Sequence, residues 1–385
     1  METVAAPARI QPTALPFTLG WTRDYQGTPP VTAAVSDSGW LVAGFADRVE
    51  FISLTTGLPA GSLPLPAPHL GCDPTSCVLA DDTTVRSVNV ATRSVRWQKS
   101  TQGPLAFAPT LRSGWVFLST NDGKTASKIV ALRDTDGGEV WSYSSTARLT
   151  GPIAVDGDRM AIATADWSIT MLDLRTGKTV WTTPIFSGLP GTPRLGGGVV
   201  YVGTETRELL FLDAANGRIT DTHHPGAVVV GAPALDEHLI YTGGQDGVLN
   251  AFDRGTGAVQ WRANLPTRPA DMGPVTGPNL VMIALRNGAV QAYLADGDGK
   301  KTAATLAAPG PGDNTIQLRV PPMIVGSGPS TRIVTISVAV GDSAKWSATV
   351  LTGGNRLPVT NVPPPVIPGL ALKLSPAVPP PTPPK

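Results

Sequence analysis

The feature that most constrains this chain is a hairpin written several times over. "LDLRTGKTVW" (residues 172–181), "FDRGTGAVQW" (252–261) and "LRDTDGGEVW" (132–141) recur at multiples of forty residues, and "LDAANGRITD" (212–221) keeps the pattern while losing its final Trp. Aligning every copy on its turn gives Gly57, Arg93, Gly137, Gly177, Gly217, Gly257, Gly297 and Gly353, which are spaced 36, 44, 40, 40, 40, 40 and 56 residues apart. That makes eight units. A period of this length marks a supersecondary unit that cannot bury its apolar surface alone and must stack on its neighbours.

Four residues beyond the turn a Trp returns as Trp97, Trp141, Trp181 and Trp261, while Gly61, Asp221, Lys301 and Leu357 hold that place elsewhere. A second periodic signal, "GPIAV" from Gly151, "GTPRL" from Gly191, "GAPAL" from Gly231 and "GPVTG" from Gly273, opens each unit's first strand, where a proline is tolerated at the strand start. Between the two signals lie runs rich in Val, Ile, Leu and aromatics. They are broken by Asp122-Gly123, Asp246-Gly247 and Asn287-Gly288, pairs that suit two-residue turns with positive φ at both central positions. No amphipathic helical stretch exceeds about two turns.

Four strands per forty residues, stacked and closed on themselves, predict an all-β fold: an eight-bladed β-propeller of four-stranded antiparallel blades, with seven blades as the alternative. The recurrent Trp then fills the space between adjacent sheets. "FTLGWTRDYQG", carrying Trp21, reads as an isolated outer strand that pairs with the last blade, although "NRLPVTNV" near the C-terminus competes for the same slot. The expected organisation is a flexible segment over 1–16, the propeller over 17–361 and a Pro-rich tail over 362–385, whose ten prolines favour an extended, solvated polyproline chain.

Thirty basic residues against twenty-nine acidic ones leave a net charge of +1, so no overall field draws the chain to nucleic acid or an anionic surface. No uninterrupted apolar run reaches the roughly eighteen residues of a spanning helix, and the start lacks the pattern of a secretory signal. Either the chain stays in the cytoplasm or a signal or membrane anchor before Met1 has been removed. Cys72 and Cys77 lie five residues apart in "GCDPTSC". They leave three readings open: a local disulfide, two free thiols, or a redox or metal role that four-ligand zinc chemistry does not support. A disulfide favours an oxidising compartment.

Chemistry-bearing residues do not converge along the sequence. His223 and His224 are adjacent and point to opposite sides of a strand or loop; His69 and His238 stand alone. Trp167, where other units carry an Asp-Gly turn, could be a stacking floor or a turn aromatic; Asp122, Asp166 and Asp246 are explained by turn formation. There is no G-x-S-x-G and no phosphate-cradling glycine loop.

The repeated "Leu-Asp-x-x-Thr-Gly-x-x-x-Trp" segments resemble the blade repeat of the pyrroloquinoline-quinone-like (PQQ-like) propellers, a resemblance that covers residues 17–361. It implies two functional classes. One comprises quinone-dependent dehydrogenases, whose cofactor carries three carboxylates and calls for converging Arg or Lys, a divalent cation, a Trp floor and an adjacent Cys-Cys disulfide. Cys72 and Cys77 depart from that adjacency. The other comprises BamB-like scaffolds and sensor domains, and the departure favours this non-enzymatic branch, with no cofactor and no metal. The reading is a protein-interaction scaffold or accessory subunit of a bacterial cell-envelope complex, extracytoplasmic, with protein partners. A quinone-dependent dehydrogenase and a ligand-sensing receptor domain are the alternatives.

Overall fold

The computed structural model describes residues 17–353 apart from 37, 102, 123, 278, 300–303, 308–315, 319, 327–329 and 340–344. The segments expected to be a flexible start (1–16) and a Pro-rich tail (362–385), like the competing strand "NRLPVTNV", lie outside the described residues. Eight antiparallel sheets follow one another along the chain, and the described residues contain no α-helix. Blades 1 to 7 take residues 32–63, 69–100, 110–145, 154–184, 194–223, 229–264 and 269–307, each four strands in sequence order. Blade 8 is built from both ends of the chain. Its outermost strand is Phe17–Gln26, paired antiparallel with Lys345–Gly353 from Phe17↔Gly353 to Gln26↔Lys345. Two short strands, Ile316–Leu318 and Met323–Val325, share the inner place against Arg332–Ala339.

Why the sheets form a ring follows from the strand period. In blade 4, Ala161, Ala163, Ile169 and Met171 face blade 5, while their alternates Met160, Ile162 and Leu172 face blade 3. Both faces of every blade are therefore apolar. Eight hydrophobic clusters result, one at each joint between consecutive blades, and the cluster joining Leu41 and Ile52 of blade 1 to Val334 and Val350 of blade 8 closes the circle. At that closing joint Tyr25 stacks on Trp346 with ring centroids 4.2 Å apart.

The repeated hairpin has two jobs, and its residues divide between them. In "LDLRTGKTVW" the Asp173 Oδ1 accepts hydrogen bonds from the N–H groups of Arg175 and Thr176 and from the Thr176 hydroxyl, while Gly177 N–H closes on the Asp173 carbonyl at 2.8 Å. Asp253 holds its turn the same way through Gly255 and Thr256. These bonds, led by the Thr176 hydroxyl and the Thr256 N–H respectively, hold both carboxyls below the usual aspartate range. Gly177 sits at φ +67, which glycine adopts without steric cost.

That glycine is a seat for the neighbouring blade. A methyl built on Gly177 would lie 2.4 Å from the Trp141 ring of blade 3; Gly137, Gly217 and Gly57 receive Trp97, Trp181 and Trp21 in the same way. Each indole also donates Nε1–H to a carbonyl just before the seat: Trp21 to Leu54, Trp97 to Asp134, Trp141 to Leu174, Trp181 to Ala214 and Trp261 to Ala295, at 2.6 to 3.1 Å. At the blade 2–3 joint the buried Asp134 side chain adds a latch, accepting from Ser76, Ser87 and Arg96.

Three seats differ from the sequence alignment. Trp261 rests on Gly299, at φ +70, and not on Gly297, because two extra residues lengthen that turn. Gly353 is not a turn glycine: it is the last residue of Lys345–Gly353 and pairs with Phe17, since the blade's fourth strand comes from the other end of the chain. At Gly257 the seat is filled by His223, whose Nε2 would be 1.9 Å from an added methyl and whose ring lies between Phe211 and Phe252. Where blade 1 has Gly61 in place of Trp, the blade 2 turn residue is Arg93, whose guanidinium covers Gly61 and lies 4.7 Å from the Trp40 ring centroid. The missing indole is matched by a larger seat. The inner turns also depart from expectation: only Gly247 and Gly288 have positive φ, not Asp246 or Asn287.

A buried Trp hides roughly 150 to 250 Å², which at about 25 cal/mol per Å² bounds its contribution near 4 to 6 kcal/mol. Trp97, 8% exposed, should therefore cost about 3 to 5 kcal/mol on substitution Trp97→Ala, with a smaller loss for the half-buried Trp181→Ala. Chemical denaturation of both variants checks the order. Equal losses, or none, contradict the wedge role.

Candidate functional site

Inner segments of blades 3 to 7 line an axial channel, and its shape follows from glycine. A methyl on Gly191 would lie 2.5 Å from the Gly231 carbonyl oxygen, one on Gly231 2.4 Å from the Gly273 nitrogen, and one on Gly273 2.6 Å from the Ala232 oxygen. The inner strands of blades 5, 6 and 7 thus touch backbone to backbone, which side chains at these positions would prevent. This explains the glycines that open blades 5, 6 and 7.

Two cavities, of about 230 and 540 Å³, lie along this channel and share Pro152, Thr192, Gly231 and Asp271 in their walls. Arg112 and Arg194 line the larger one, and their side chains make no hydrogen bond or ion pair among the described residues. Arg194 is crowded by protein yet still open to channel solvent; desolvation lowers its pKa from the ordinary arginine value, partly offset by Asp156. Asp271 is engaged outward, at 3.2 Å from Arg286.

Two arginines could meet carboxylates of an anionic guest. The rest of a quinone site does not fit these walls. No Trp lines either cavity, Phe107 is the aromatic residue in the wall of the smaller one and the larger one has none, and no group of three His, Cys, Asp or Glu side chains able to hold a metal occurs among the described residues. Cys72 and Cys77 form a disulfide across the hairpin of His69–Cys72 and Ser76–Ala80 in blade 2, outside the walls of both cavities.

The other residues singled out from sequence scatter around the ring. His69 is half-buried, and burial pulls its pKa down; His224 and His238 are exposed, and His223 belongs to the blade 5–6 joint. Asp122 accepts from Lys124 and Ala126 N–H, Asp166 from the Thr164 hydroxyl and Asp246 from Val248 N–H, each within its own turn. Trp167 is a turn residue at φ +65, 53% exposed and outside the walls of both channel cavities.

Sequence reasoning missed Arg194, His223 and the exposed Phe186. His223 was readable: it stands two residues beyond the expected Trp position, on the same strand face. Arg194 sits inside the "GTPRL" signal but carries no marker of its channel position.

The sequence matches the profile of the family described as outer membrane protein assembly factor BamB in three overlapping registers, residues 67–188, 125–311 and 165–358. Overlap of this kind is natural in a repeat protein. No curated protein sequence matches significantly. Among solved structures, BamB from Moraxella catarrhalis is similar over 87% of this chain and 99% of its own at 17% identity and a TM-score of 0.64. Saccharomyces cerevisiae Sqt1 is similar over 90% of this chain and all of its own at 14% identity and a TM-score of 0.67. The quinohemoprotein alcohol dehydrogenase from Comamonas testosteroni matches 89% of this chain and 77% of its own at 13% identity and a TM-score of 0.64. These structural likenesses speak to fold alone. The profile match, however, spans 292 of 385 residues, and the chain belongs to the BamB family of PQQ-like β-propellers.

Proposed function

We propose that this chain is a non-enzymatic interaction scaffold, or an accessory subunit, of a bacterial cell-envelope complex. The observation that carries the reading is the family match, joined to a channel whose walls lack the aromatic floor and metal ligands that quinone chemistry requires. A wheel with broad faces and exposed outer strands offers surface to protein partners without needing a reaction centre. The Cys72–Cys77 bridge supports an oxidising, extracytoplasmic setting.

Quinone-dependent oxidation is the second reading, favoured by one feature, Arg112 and Arg194 in the larger cavity, whose side chains have no partner among the described residues. Calorimetric titration of the full chain with pyrroloquinoline quinone and calcium separates the two. The scaffold reading predicts no saturable heat; stoichiometric binding lost in the Arg112→Ala, Arg194→Ala double variant would establish the quinone reading instead.

Compartment and partnership have their own tests. Rapid alkylation of the chain in its native cells, followed by mass analysis, should find Cys72 and Cys77 unmodified because they are bridged. Two alkylated thiols contradict an envelope location. Crosslinking in intact cells should yield one reproducible adduct with an envelope protein, and an absence of any specific adduct counts against the scaffold.

A further inference from the structure

Two grooves, of about 870 and 980 Å³, occupy equivalent places at the blade 3–4 and blade 6–7 joints, on the face that carries the first-to-second-strand and third-to-fourth-strand turns. Each has in its wall the residue whose carbonyl accepts from an inter-blade indole, Leu174 from Trp141 and Ala295 from Trp261. The next residue opens the turn. In blades 1, 2, 3, 5 and 6 it is Thr55, Ala91, Thr135, Ala215 and Gly255, all small and neutral, but it is Arg175 at the first groove and Asp296 at the second. The turn uses only the Arg175 N–H, and the guanidinium makes no hydrogen bond or ion pair among the described residues. Asp158, in the same wall, lies 3.7 Å from Arg159, which offsets its charge and leaves that of Arg175 uncompensated.

The rest of the blade 3–4 groove is apolar. Trp115, which opens the second strand of blade 3, stands in its wall with the exposed Val140 and with Leu174. Blade 1 carries Trp40 at the same place, where the Arg93 guanidinium from blade 2 lies 4.7 Å from its ring centroid and covers it. No cation covers Trp115 among the described residues; its ring is tilted against Phe117 at 6.1 Å, it remains partly exposed, and its Nε1–H has no partner there. Trp and Arg are the side chains that most often carry the binding energy of an interface, and the volume is that of a ligand cleft. Charge selects the guest. An uncompensated cation beside an apolar wall suits a carboxylate carried next to an apolar side chain, whereas the blade 6–7 groove, walled by Asp236, Glu237, Asp253 and Asp296 with no Lys or Arg, repels it.

We infer that the blade 3–4 groove docks a partner-protein segment in which an aromatic or large aliphatic side chain is followed by Asp or Glu, the apolar side chain lying on Trp115 and Val140 and the carboxylate on Arg175. The inference gives the scaffold a kind of partner and rests on that reading. The site stands apart from the axial channel, with which it shares no wall residue.

Fluorine NMR of the full chain with fluorotryptophan at all nine Trp positions tests this, with the Trp115 line assigned by its loss in Trp115→Phe. Titration with the dipeptide N-acetyl-Phe-Asp-amide should shift the Trp115 line saturably, and N-acetyl-Phe-Asn-amide should bind about fivefold more weakly, the scale of one exposed ion pair. Arg175→Ala, which installs the residue that blades 2 and 5 carry at this turn, should remove the difference while the other eight lines stay in place and show the ring still folded. Arg175→Asp should reverse it in favour of the Asn dipeptide. An unmoved Trp115 line, equal binding of the two dipeptides, or a preference that survives Arg175→Ala would each overturn the inference. The titration reads the groove with no partner present, so its failure is separate from a failure of the scaffold reading, which would show as the absence of any crosslinked adduct in cells. An adduct formed equally by the unaltered chain and by Arg175→Asp would overturn the inference and leave the scaffold in place.

Discussion

The seating of one blade's indole on the next blade's turn glycine sets the terms for the rest of this molecule. It fixes the forty-residue period, because the Trp and its seat must fall at the same height in consecutive sheets. It fixes the turn chemistry too. The Asp and Thr of "LDLRTGKTVW" exist to hold a backbone that only glycine can complete, and glycine is required there because the neighbouring ring lies within 2.4 to 2.8 Å of where a methyl would be. Where the indole is absent the seat adjusts: Arg93 rises to cover Gly61, and His223 takes the place above Gly257.

Ring closure uses a different device. The first described strand, Phe17–Gln26, completes the last blade, and the joint with blade 1 is lined by aromatic rings, with Trp21 on Gly57 and Trp346 against both Tyr25 and Phe45. Closure by hydrogen bonds between strands from the two ends completes blade 8, so the sheet edges that remain at the circumference are the short outer strands of the blades.

Much of this could be read from the residues alone. The blade number, the isolated first strand with Trp21 and the inter-sheet role of the indoles rest on periodicity, which is strong because it repeats. What could not be read has local causes. Gly297 was displaced by Gly299 because "LADGDGK" offers two glycines and the longer turn selects the second; Gly353 fell in a strand because the alignment assumed that the fourth strand follows the third in sequence. The channel was opaque for a deeper reason. Arg112 and Arg194 come from different blades and share a cavity wall only once the blades are assembled, and a single residue in each repeat leaves no pattern to detect. Phe186 was missed because exposure, unlike period, has no sequence signature. The family assignment rests on the repeat, and the proposed scaffold role draws on it together with the composition of the channel walls.

The central claim, that the wheel is held by indoles bearing on glycines, is met most directly by a double-mutant cycle on Trp141 and Gly177. Gly177→Ala places a methyl inside the Trp141 ring and forces a left-handed alanine. The account predicts that its penalty falls by about 1 to 3 kcal/mol when Trp141→Ala has already emptied the seat, leaving only the backbone cost. Additive penalties would mean that ring and glycine do not bear on each other.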